Sequence, residues 1–88
     1  MQLEDQVLKF PCSFSIKSIG ADVDDYRQFV IDTVAGIVGE LDQGNITTRL
    51  SNGNKYLAVT VPFNAQDREQ LNAVYQALNQ DSRTRFVV

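Results

Sequence analysis

Residues 9–20 read KFPCSFSIKSIG, and the fold follows from how this stretch is read. Pro11 lacks an N–H and suits the start of a strand rather than its middle. Beyond it Phe14 and Ile16 alternate with Ser13, Ser15 and Lys17, the period of two that marks a half-buried strand. Gly20 closes the run. The competing reading is a reactive loop around Cys12. A catalytic thiol needs a neighbour that lowers its pKa, yet the chain has no histidine and its nearest cations in sequence are Lys9 and Lys17. Cys12 is therefore a packing residue, and Cys12 to Ile19 is the first strand.

After Gly20, Asp22 is placed to cap a helix, with Asp24 and Asp25 near its positive end. These carboxylates are read as a helix start, not a metal cluster. From Val23 to about Glu40, the residues Val23, Tyr26, Phe29, Val30, Val34, Ile37, Val38 and Leu41 recur at helical spacing. Gly36 and Gly39 weaken the second half of that helix. A turn at residues 42–45 leads to a second strand, in which Ile46, Thr48 and Leu50 alternate with Thr47, Arg49 and Ser51. Asn52-Gly53 signals a hairpin. The third strand runs from Lys55 to Pro62, with Leu57, Val59 and Val61 on one face and Tyr56, Ala58 and Thr60 on the other. Asn64 is placed to cap a second helix, with Asp67 three residues on and Leu71, Val74, Tyr75 and Leu78 as its stripe. Arg83 to Val88 is a final strand. The order β-α-β-β-α-β predicts an α+β fold, a ferredoxin-like sandwich with two helices on one face of a four-stranded antiparallel sheet.

The chain has 88 residues, the length of one domain. Residues 1–9 are read as a flexible lead-in and 10–88 as the domain. Lys plus Arg number 8 against 11 for Asp plus Glu, a net charge of -3. That balance argues against non-specific nucleic-acid binding and against docking on an anionic membrane. A single cysteine and no histidine argue against an internal disulfide, a structural zinc site and any histidine-dependent triad. The acidic start, Met1 to Asp5, lacks the pattern of a signal peptide, so a cytoplasmic location is expected. No cofactor, metal or catalytic residue is expected.

Two features stand out as candidate contact sites. Gly20, between the first strand and first helix, permits close approach to the backbone beside helix N–H groups that suit a carboxylate. Arg83, Arg85 and Phe86 lie on a final strand that is an edge in this topology, where charge discourages unwanted pairing and a partner strand can add. The face away from the helices carries Ser13, Ser15, Lys17, Thr47, Arg49, Tyr56, Ala58 and Thr60. Its single clear aromatic, Tyr56, is thin support for base stacking. RNA binding through Tyr56, Lys17 and Arg49 is the alternative function.

Residues 10–20, FPCSFSIKSIG, resemble the opening motif of the YbeD-like family of small bacterial proteins, and residues 51–61, SNGNKYLAVTV, resemble its hairpin and third strand. Arg85 to Val88 is similar to its closing strand. The resemblance implies an ACT-like variant of the ferredoxin fold, a module that often regulates by binding amino acids at a pairwise interface. It implies a ligand site at Gly20, Ala21 and Asp22, although an acidic Asp22 repels a ligand carboxylate and suits an amino group. The resulting expectation is a stand-alone regulatory or interaction module. It binds a partner protein or a small-molecule effector, with a homodimer as one form.

Overall fold

The computed structural model describes residues 9–51, 53 and 55–88. Its elements are β1 (Cys12–Ala21), α1 (Tyr26–Val38), a short 3-10 turn (Gln43–Asn45), β2 (Thr47–Leu50), β3 (Tyr56–Ala65), α2 (Arg68–Asn79) and β4 (Thr84–Val87). One antiparallel sheet holds the strands in the order β2-β3-β1-β4. This is the ferredoxin-like α+β arrangement that the alternating patterns predicted. Residues 1–8 of the lead-in, and Asn52 of the hairpin signal, lie outside the described residues.

Period-two patterning decides which face is buried. Ile16 and Ser18 on β1, and Leu57, Val59, Val61, Phe63 and Ala65 on β3, point to the helices and are buried. Tyr26, Val30, Ile31 and Val34 of α1, with Leu71, Val74 and Leu78 of α2, close the core from the other side. Burying such aliphatic side chains stabilises a fold by about 1.5–3 kcal/mol each.

Several boundaries differ from the expected ones. β1 does not stop before Gly20; it continues through Ala21, with Gly20 paired to Leu57 on one side and Thr84 on the other. β3 continues through Pro62 to Ala65. It can because β2 has already ended: Thr60 is the last β3 residue with a β2 partner, Thr47. The missing Pro62 N–H thus falls on an unpaired side. The last strand is Thr84–Val87 and excludes Arg83.

Helix starts moved as well. α1 begins at Tyr26, so Val23 is outside it and about half exposed, at 49%. Asp22 is not its cap; the Asp22 N–H donates to the Lys55 carbonyl instead. Asp24 and Asp25 both adopt the left-handed region, at φ 51° and 57°, a conformation that aspartate tolerates better than most residues at a cost of about 1 kcal/mol each. α2 is capped by Asp67 rather than Asn64. The Asp67 carboxylate accepts from the Gln70 N–H at 2.8 Å, and the Gln70 side chain accepts from the Gln66 N–H at 2.9 Å. This is a close relative of the capping box, displaced three residues along the chain.

Arg83 ties the two ends of the fold together. Its guanidinium grips the Asp81 carboxylate through two nitrogens, at 2.8 and 2.9 Å. A third nitrogen donates to the Asp24 carbonyl at 2.8 Å, and the group stacks over Phe29 at 4.7 Å. The hydrogen bonds from Arg83 hold the Asp81 carboxyl down at about 2, against 3.8 ordinarily. Because the folded value is the lower one, the stabilisation is complete above pH 3.8 and is lost as pH falls towards 2. About a fifth of each side chain stays exposed, and solvent screening keeps the gain at about 1 kcal/mol. Asp81→Asn should therefore lower the melting temperature at pH 7 by about 5 °C, and the deficit relative to wild type should shrink below pH 4. An equal deficit at pH 2.5 and pH 7, followed by circular dichroism, would contradict this.

Candidate functional site

The open face of the sheet is organised in cross-strand rows. Arg49 on β2 stands opposite Ala58 on β3, Ala58 opposite Ile19 on β1, and Ile19 opposite Phe86 on β4. The neighbouring row runs Thr47, Thr60, Lys17, Val88, with Lys17 and Val88 exchanging two backbone hydrogen bonds. On the other side Ala21 stands opposite Tyr56, and the Arg85 guanidinium lies over the Tyr56 ring at 5.8 Å. Directly opposed side chains sit about 5 Å apart, so these residues form one continuous surface.

The local reason for Arg85 and Phe86 sharing this face is a register shift. Ile19 pairs with Phe86 but Gly20 pairs with Thr84, leaving Arg85 as the extra residue of a bulge. A bulge re-aims side chains in this way. Thr84 turns inward to the core, while Phe86 stays 56% exposed and Val88 60%. Tyr56, at 38%, is the other large exposed aromatic of this face, whereas Leu50, at 47% exposed, stands opposite the core-facing Leu57 and so belongs by register to the helix side. The small Ala58 between Ile19 and Arg49 leaves a trough. Its aromatic end, about 530 Å³, is lined by Ile19, Ser51, Tyr56, Arg85 and Phe86. Its other end, about 350 Å³, is lined by Lys17, Thr47, Thr48, Arg49, Ala58 and Thr60.

The residues singled out in the sequence are placed as follows. Tyr56, Ala58, Thr60, Ser13, Ser15, Lys17, Thr47 and Arg49 share the open face, as their alternation indicated. Of the edge residues, Arg85 and Phe86 reach it, whereas the Arg83 side chain turns inward to Asp81, Asp24 and Phe29. Gly20 is buried, with the Tyr26 ring filling the space on its helix side. Ala21 and Asp22 follow it, and their N–H groups donate to the carbonyls of Arg83 and Lys55. Cys12 is half-buried against the core. Among the described residues no group of His, Cys, Asp and Glu is arranged to hold a metal ion. No helix among them is long and apolar enough to cross a membrane. Sequence reasoning singled out Phe86 as an edge contact but did not join it to Tyr56, and it passed over Ile19. The strand alternation carried a signal for Ile19, which shares parity with Lys17; the bulge that fixes Arg85 beside Phe86 left none.

Comparison with known proteins now adds the family. Residues 5–88 match the model of a family described as protein of unknown function (DUF493). The chain belongs to this family. It is similar to a UPF0250 protein of Paraburkholderia phytofirmans, 33% identical over 76 residues, covering 86% of this chain and 85% of that one. It is similar to UPF0250 protein NMC1112 of Neisseria meningitidis, 33% identical over 82 residues, covering 93% and 90%. It is also similar to UPF0250 protein RSc0326 of Ralstonia nicotianae, 32% identical over 84 residues, covering 96% and 87%. These relatives are the YbeD-like proteins that residues 10–20 and 51–61 resembled. The DUF493 match spans every element from β1 to β4, so the open face described above is a property of the whole matched unit.

Proposed function

We propose that this DUF493 chain is a non-catalytic interaction module that binds a partner protein through the open sheet face. The observation that carries this is the row Arg49, Ala58, Ile19, Phe86 with Tyr56 beside it. It leaves two aromatic side chains, Phe86 and Tyr56, exposed on the surface, with the half-buried Ile19 between the strands that carry them. Contiguous exposed apolar surface on a small protein marks a contact site. Aromatic and arginine residues at its centre are the composition of binding hot spots.

The test uses Phe86→Ser and Tyr56→Ser, with Asp32→Asn on the solvent side of α1 as control. Each immobilised protein is incubated with extract of a bacterium carrying the family. A partner retained by wild type and by Asp32→Asn, and reduced at least tenfold by both face variants, supports the reading. Identical retention by all four proteins overturns it. Because Phe86 is more than half exposed, Phe86→Ser should melt within about 2 °C of wild type, so loss of binding cannot be ascribed to unfolding.

A further inference from the structure

Charge on this surface is distributed against the trend of the molecule. The chain carries a net charge of -3. Yet the strand positions of the open face hold Lys17, Arg49 and Arg85 and, among the described residues, no Asp or Glu. Among the described residues, side-chain carboxylates flank the face at its ends: Asp22 lies just past Ala21, and Glu40 and Asp42 line a separate hollow beside Ser13. Lys17 and Arg49 are exposed and make no ion pair or side-chain hydrogen bond among the described residues. They flank the hydroxyls of Thr47 and Thr60 in the 350 Å³ end of the trough. Two unpaired cations and two hydroxyls converging on one hollow form a site complementary to a carboxylate. The hollow shares Arg49 and Ala58 with a neighbouring recess, which in turn shares Ile19, Ser51 and Tyr56 with the aromatic end.

Resting on the proposed role of this face, we infer that its occupant is an acidic, extended peptide segment of the partner. The segment lays a carboxylate side chain between Lys17 and Arg49 and an aliphatic or aromatic side chain against Ile19 and Phe86. The spacing of the two subsites suits alternate residues of an extended chain, whose side chains repeat every second residue. A single-stranded nucleic acid fits less well. Arg85 already covers one face of the Tyr56 ring, which removes a stacking surface.

The experiment is selection from a random dodecapeptide library displayed on phage. The baits are the full chain, Lys17→Glu/Arg49→Glu, Phe86→Ser and, as a single charge-reversal control on α1, Arg27→Glu. The expected result is that peptides selected by wild type are enriched about threefold in Asp and Glu over the starting library. Their affinity should fall at least tenfold for the Lys17→Glu/Arg49→Glu protein, stay unchanged for Arg27→Glu, and weaken with salt as exposed charge pairs do. Peptides without acidic enrichment that still require Phe86 overturn the acidic occupant and leave the interaction surface standing. Failure to select any peptide, or selection of the same peptides by wild type and both face variants, overturns both. A single-stranded oligonucleotide that displaces the selected peptides at lower concentration than unlabelled peptide overturns the protein occupant in favour of nucleic acid.

Discussion

Gly20→Ala should lower the melting temperature by about 15 °C, the consequence of roughly 3 kcal/mol of overpacking in a domain of this size. A Cβ on Gly20 would stand 2.5 Å from Cζ of Tyr26 and 2.6 Å from the Arg83 carbonyl oxygen. The second contact is the harder one, because that carbonyl accepts the Ala21 N–H at 2.8 Å and belongs to the turn that Arg83 fixes. Neither neighbour can retreat without breaking something. The ring cannot turn aside, since its hydroxyl is held on both sides. The backbone cannot shift without opening the junction of β1 and β4. Shrinking the ring isolates the two contributions. Tyr26→Leu in the Gly20→Ala background removes the first clash and leaves the second, so the double variant should lose less than the sum of the two single losses. Thermal melts of the four proteins decide it, and a Gly20→Ala protein that melts within 2 °C of wild type would falsify the account.

Tyr26→Phe should cost about 2 kcal/mol, which is about 10 °C of melting temperature. The Tyr26 hydroxyl is hydrogen-bonded to the Ser18 hydroxyl at 2.6 Å and to that of Thr84 at 3.0 Å. Ser18 is fully buried and is the buried polar residue of the core. Removing the phenolic oxygen takes away the hydrogen-bond partner of this fully buried hydroxyl, and the unmet desolvation makes up most of the loss. The sign of the second substitution tests this directly. Ser18→Ala added to Tyr26→Phe removes the stranded group and should recover about 1 kcal/mol. The same Ser18→Ala in the wild-type chain should be destabilising. A double-mutant cycle that gives Ser18→Ala the same sign in both backgrounds would refute the network.

Much of the architecture was readable because it depends on local alternation. In β3 every second residue from Leu57 to Phe63 is large and apolar, and Phe14 and Ile16 keep the same period in β1, so no tertiary information is needed to assign the faces. The same logic correctly gave Tyr56, Lys17 and Arg49 to the open surface. What failed were positions whose role is set by residues far away in the chain. Gly20 read as a stop because glycine is poor in a strand interior, but it is required there by the Tyr26 ring that crosses above it. Arg83 read as an edge charge because its sequence neighbours are polar, yet its main partners include Asp24 and Phe29, from the other half of the molecule. Asp22 and Asn64 read as caps because they are the first capping residues after a strand. In both places the strand or loop runs on, and a later aspartate takes the position.

The sheet order places the first strand at the centre, hydrogen-bonded to β3 and β4 and to no element next to it in sequence. This has a consequence for how the molecule is made. On a ribosome β1 emerges before β3 and β4 and waits unpaired until both have followed it. The β2–β3 hairpin can close early from its own residues. The centre of the sheet closes only when both remote strands arrive, and loops of that length form slowly because their closure entropy comes before any reward. Assembly of this domain is therefore a late and concerted event, in which β4 completes the sheet that β1 began.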